Sequence, residues 1–261
     1  MRIFLGIDDT DVAGADRGTG KLARMLAARL PADARLWGLV RQQLPVMDGI
    51  PYTSQNSAAC LIIEAESVDV IPGLIELGAA HLSEHFIEGS DPGLCVVAEN
   101  APETERLLEF GRTASSRIVG RADAHAAAGK AHLSAHGGTG DGIIGAAAGV
   151  GLTLSGWSGR FIEFGGLREL PRHVTVGELE DRGVRTLSVD RNALFPGRED
   201  VVDTRNWLRP RLWGFGPVLP VERLDHGQWR AIGGKRKKGH RRVDGVSIGT
   251  GQNGVGLPEV F

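Results

Sequence analysis

The sequence predicts an α/β chain of the α+β kind, a mixed sheet with helices packed on it. Two observations carry this. Short apolar runs alternate with stretches of helical periodicity, and the first six of them fall in the order β-α-β-β-α-β, the split arrangement of a ferredoxin-like element. Glycine is abundant, 38 of 261 residues, and it clusters between these stretches, where backbone must turn sharply or come close to something.

RIFLGI (2–7) is an apolar run ending at acidic residues, a buried strand that delivers Asp8 to its C-terminal edge. TGKLARMLAARL (19–30) places Leu22, Met25, Leu26 and Leu30 at helical spacing, and Pro31 closes it. ARLWGLVRQQL (34–44) and AACLIIEAE (58–66) read as strands, separated by the polar, Pro-containing loop PVMDGIPYTSQNS. VDVIPGLIELGAAHLSEHF (68–86) is helical with a start weakened by Pro72 and Gly73, and GLCVVAEN (93–100) is a fourth strand. Helices are expected over 101–114 and, rich in alanine, over 121–129; GRFIEFGGLREL (159–170) reads as a strand. From 171 periodicity weakens and Pro, Gly and Arg rise. Two units are therefore expected: a core over 1–170 and an irregular C-terminal extension with a basic tail over 171–261.

Composition excludes some classes. Lys plus Arg is 30 and Asp plus Glu is 32, a formal charge of −2, so only local patches can speak for nucleic acid. Cys60 and Cys95 both lie in apolar stretches and read as buried free thiols. There is no apolar run of the roughly 20 residues a membrane helix needs and no signal-like start, so a soluble, cytoplasmic protein is expected.

Four motifs carry chemistry. In DDTD, the carboxylates Asp8, Asp9 and Asp11 fall within four residues. Hard divalent cations prefer such oxygens, and a strand end is where α/β folds place ligands; an Asp-rich turn fits the spacing equally well. GADRGTGKLARMLA (14–27) nearly spells a P-loop, but Ala15 and Leu22 stand where Gly and Ser/Thr belong. Gly18, Thr19, Gly20 and Lys21 still suit a phosphate at a helix N-terminus; the plain alternative is a helix cap with Thr19 as N-cap. GTGDGIIGAAAGVG (138–151) contains a GxGxxG at Gly140, Gly142 and Gly145, but AHLSAH rather than an apolar strand precedes it, which argues against a dinucleotide fold. It leaves a Gly-rich loop feeding a helix of small residues, able to pack closely on a neighbour or a ligand. Lastly, GGKRKKGHRR (233–242) is a basic run that reads as a solvated tail or as an RNA contact. His132 and His136, four apart, would share a helix face, but no third ligand stands at clear spacing. GWSG (156–159) misses the nucleophile-elbow pattern by one place.

Together, LGIDDTD, GTGKLA, IPYTSQNSAACL, SDPGLCVV, GDGIIGAAAGVG and SGRFIEFGG, in that order, resemble the archaeal isoleucine-tRNA agmatidine synthetase (2-agmatinylcytidine synthetase, TiaS) family over roughly residues 1–170. The resemblance implies a kinase-like nucleotide-binding core beside the ferredoxin-like part. In that family ATP activates the C2 carbonyl oxygen of a cytidine and agmatine then displaces it. The resemblance carries Asp8, Asp9 and Asp11 over as the Mg2+–ATP acidic cluster, Thr19 as a phosphate contact or acceptor, and Asn56 as the Asn of the third segment. Gly138, Gly140, Asp141, Gly142 and Gly145 become the second nucleotide loop, with Asp141 where the family has Arg. The family continues into an OB-fold and a zinc ribbon; no cysteine follows Cys95 here, so a stand-alone relative of the ATP-using core is expected. The expected function is a Mg2+–ATP-dependent phosphoryl or adenylyl transfer, ligase- or kinase-like, that activates an oxygen such as a nucleobase carbonyl for attack by an amine. An RNA-binding module contacting RNA through Lys235, Arg236, Lys237, Lys238, Arg241 and Arg242, or a non-catalytic nucleotide binder, are the alternatives.

Overall fold

The protein is described by a computed structural model covering residues 1–50, 56–192 and 194–233. Along the chain come β1 (Arg2–Asp8), α1 (Thr19–Ala27), β2 (Ala34–Gln43), β3 (Ser57–Ala65), α2 (Ile71–Glu84) and β4 (Gly93–Ala98). They are followed by α3 (Thr104–Ala114), α4 (Arg121–Ala128), β5 (His132–Ala135), α5 (Gly142–Leu154) and β6 (Arg160–Glu163). The last part holds β7 (His173–Thr175), α6 (Val176–Asp181), β8 (Arg185–Ser188), β9 (Val201–Asp203), β10 (Arg211–Trp213), β11 (Gly216–Asp225) and β12 (Gln228–Ala231).

The β-α-β-β-α-β order is present, and its strands lie side by side as β4-β1-β3-β2, every neighbour antiparallel. β1 is central and buried on both faces, which is why its sequence is a continuous apolar run rather than an alternating one. Its odd residues Ile3, Leu5 and Ile7 pack with Leu22 and Leu26 of α1 and Leu74 and Leu82 of α2. Phe4 faces the other layer with Leu107 and Phe110 of α3 and the small residues of α5. The sheet is thus sandwiched between helices, with the strand ends exposed to whatever the connecting turns build.

α5 is buried almost all round, as a helix without a polar face must be. Its small residues let its backbone press on β1: a Cβ on Gly6 would stand 2.5 Å from the Ala146 carbonyl oxygen. The weakened start of the 68–86 helix resolves into a short 3₁₀ turn, Val68–Val70, before α2, with Pro72 in the first turn, where its missing N–H costs nothing.

Three expectations are corrected. The strand expected over 159–170 stops at Glu163, because Gly165 and Gly166 adopt positive φ (49° and 72°) and turn the chain. His132 and His136 do not share a helix face: His132 opens β5, and the Ser134 hydroxyl bridges the two Nε2 atoms at 2.8 Å each, as i, i+2, i+4 on a strand allows. Among the described residues, the stretch after 170 is not irregular. It carries β7 to β12 and α6, extending the sheet from β6 as β10-β11-β12-β9-β7, with β8 parallel beside β11. These strands escape sequence reading because most are three or four residues long, too short for a period of two to show. The basic run 235–242 lies outside the described residues. Among the described residues, no helix is long and apolar enough to cross a membrane.

Candidate functional site

β1 ends at Asp8, whose side chain is buried, only 8% of the residue being exposed. The next residue, Asp9, turns the chain with φ of +50°, a conformation that Asp tolerates better than most residues. The Thr10 hydroxyl donates to the Thr19 hydroxyl at 3.1 Å, tying this acidic turn to the start of α1. Asp8 packs on the first turn of α5: a Cβ on Gly145 would lie 1.6 Å from Asp8 Oδ2. Gly145 is therefore required by the carboxylate beside it.

Burial pushes the Asp8 carboxyl up to about 7, with Asp9 and Asp11 adding repulsion against the pull of the Asp9 backbone N–H and Arg41. Burial likewise lifts Asp9 to about 6, joined by Asp91, Asp11 and Asp141. A cluster of hard oxygen donors that resists ionisation together is one that a divalent cation would stabilise. The donor chemistry is that of a Mg2+ site, but among the described residues only His81, Glu84 and His85 bring three such ligand atoms within 4.8 Å of one another.

The two glycine-rich turns differ. At α1 the N-cap is Gly18, not Thr19; Thr19 is the first helical residue. The glycine N-cap brings no side chain of its own, no acidic residue sits in the first turn, the Asp11 carboxylate stands 3.6 Å from where a Gly18 Cβ would lie, and Lys21 is exposed beside it. Its first amides point out of the helix with the positive end of the dipole behind them, the arrangement that favours anions.

The second turn is closed. Asp91, buried at 8% exposure, accepts from the Thr139, Gly140 and Asp141 backbone N–H groups at 3.1, 2.8 and 2.8 Å, and from the Thr139 hydroxyl at 2.7 Å. Those amides already hold a carboxylate. Gly138 has φ of +56°, and a Cβ there would meet the Asp91 side chain at 2.8 Å, so this glycine serves the internal cap. The Asp91 N–H in turn donates to the Asp9 carbonyl at 3.0 Å, linking the cap to the acidic turn. Asp141 is paired with Arg121 at 3.3 Å, which offsets the negative charge that the second loop carries.

All of this opens on one cleft of about 640 Å³, within the range of small-molecule sites. Asp8, Asp9, Asp11, Gly18, Thr19, Gly20, Lys21, Asn56, Asp141, Gly142 and Gly145 line it; Gly138 and Gly140 do not. Asn56 staples the base of the loop before β3, its amide nitrogen donating to the Pro45 carbonyl at 2.7 Å. Sequence reasoning missed other lining residues, Arg24, Arg41, Arg168, Trp207 and Arg209. It also missed the use made of Asp91, although SDPG is one of the segments of the resemblance. The arginines had no signal: each is isolated in sequence, on a helix, a strand, a turn and a loop.

No protein-family model matches the chain, and no curated protein matches it. Among solved structures, a tRNA fluorescent labeling enzyme matches at 28% identity and a TM-score of 0.49, over 58% of this chain and 36% of that one. Apo TiaS, an isoleucine-tRNA agmatidine synthetase, matches at 27% identity and a TM-score of 0.48, over 58% and 35%. The complex of TiaS with its tRNA and ATP matches at 26% identity and a TM-score of 0.49, over 58% and 36%. The chain thus spans little more than a third of the length of these proteins.

Proposed function

We propose that the cleft binds Mg2+–ATP and transfers a phosphoryl or adenylyl group to an oxygen, which an amine then displaces. The observation that carries this reading is the opening of the acidic cluster and the glycine-rich start of α1 into the same cleft.

Asp8, Asp9 and Asp11 would hold the metal, which when bound supplies charge neutralisation for phosphate oxygens. The α1 amides and Lys21 hold the phosphates, the amides as fixed dipoles and the lysine as a mobile charge. Thr19, its hydroxyl hydrogen-bonded to Thr10, stands at the helix start as a phosphate contact or acceptor. Gly145, Ala148 and Ile162 give the cleft a buried, apolar part of its lining, where an electrostatic contact would be stronger than in water.

The test is calorimetric titration of ATP with and without Mg2+. Wild type should bind more tightly with the metal, and the Asp8→Asn/Asp9→Asn variant should lose at least about tenfold, roughly 1.4 kcal/mol. Equal affinity in the two proteins would overturn the reading.

A further inference from the structure

The cleft has two electrostatic ends. Asp8, Asp9, Asp11 and Asp141 line it, and so do Arg24, Arg41, Arg168 and Arg209. Arg24 and Arg209 sense Arg168, with Glu163 as the acidic group acting on both. At the basic end three guanidinium groups thus share one carboxylate, and Arg168 Nε lies 3.3 Å from Glu163. Burial, then Arg168 and Arg24, depress Arg209 to about 10, the mark of positive charge held close together away from water. Arg209 is fixed: its Nη1 donates to the Leu208 carbonyl at 2.7 Å, and its guanidinium lies 3.7 Å from the Trp207 ring centre.

An excess of planar cations on a cleft wall, braced on an indole, is suited to a phosphate carried by an aromatic ring: the forks take the oxygens, and the Trp207–Arg209 stack takes the ring face. We propose that Arg24, Arg168, Arg209 and Trp207 form a second anion subsite that holds the phosphate and base of a free mononucleotide, separate from the Mg2+–ATP end. Its assignment as the acceptor subsite rests on the ATP reading above; its affinity for a nucleoside phosphate does not.

The test uses the full chain, without ATP or Mg2+, titrated with uridine 5′-monophosphate, with uridine, and with an eight-residue oligouridylate. The monophosphate should bind at least about tenfold more tightly than uridine and at least as tightly as the oligomer. Arg168→Gln, whose side chain is 37% exposed, and Arg209→Gln should each weaken the monophosphate about tenfold with an unchanged melting temperature, with partial recovery in Arg209→Lys. Mg2+–ATP affinity should stay within about twofold in all three. Conversely, Asp8→Asn/Asp9→Asn should lose Mg2+–ATP and keep the monophosphate. Failure of wild type to bind ATP, with the monophosphate results intact, would remove the ATP reading and leave this subsite standing. Equal binding of uridine and its phosphate would overturn it. So would binding of the oligomer alone, or an equal loss of ATP affinity in the arginine variants, which would make the wall part of the triphosphate site.

Discussion

The turns at 18–21 and 137–142 are alike on paper, each glycine-rich and each feeding a helix, yet they do opposite work. The first sets a glycine N-cap at the start of α1, and its residues line a cleft. The second closes its amides on the buried Asp91 carboxylate. Glycine at the first keeps backbone accessible; at the second it makes room for packing. A glycine-rich loop is a phosphate site only when its donors have no internal acceptor, and that is decided by a residue distant in sequence.

Substitutions sharpen this contrast. Gly142→Ala should do the most damage, because its Cβ would stand 1.7 Å from the Asp91 carbonyl oxygen; backbone on backbone cannot yield, and a loss of about 3 kcal/mol or more is expected in chemical denaturation. Asp91→Ala should follow, at about 3 kcal/mol, since it leaves three loop amides without their charged acceptor. Undiminished stability in that variant would mean that the second loop is not internally capped, and the contrast would fail.

The acidic end makes a prediction in pH. The Asp8 carboxyl is raised from its ordinary 3.8 to about 7 and Asp9 to about 6. Above pH 4 the unfolded chain releases these protons while the metal-free folded protein keeps them, so this contribution to stability is present at low pH and fades as pH rises to about 7. Asp8→Asn should therefore melt higher than metal-free wild type at pH 8, with the gap closing towards pH 4, while abolishing metal-dependent nucleotide binding. Mg2+ affinity of wild type should rise over the same window, because the ligands must be deprotonated.

Smaller effects are expected at the open turn. Lys21→Ala should weaken ATP about three- to tenfold in a salt-dependent way with no change in melting temperature, its side chain being exposed. Gly18→Ala should cost less than about 1 kcal/mol, since its φ of −110° suits any residue and the nearest atom, Asp11 Oδ2, would be 3.6 Å from the new Cβ. A large loss at Gly18 would erase the difference between the turns.

The elements of the first hundred residues were legible because the strands are buried on both faces and read as unbroken apolar runs, and α1 carries a clear helical stripe. The later strands were not, since β9 finds its partners in β12 and β7, and pairing over such separations leaves no local pattern. The acidic cluster was visible because its carboxylates are neighbours in the chain. The arginine wall was invisible because Arg24, Arg168 and Arg209 meet only after folding.

By itself, then, the sequence determined what local chemistry controls: the split βαβ order, the carboxylates at the end of β1, and the two glycine-rich turns that feed α1 and α5. The tertiary structure alone decided that the second of those turns is closed on an internal carboxylate. An amide is available to a ligand only if no other acceptor reaches it, and the acceptor that closes the second turn, Asp91, lies 48 residues before the first amide it holds.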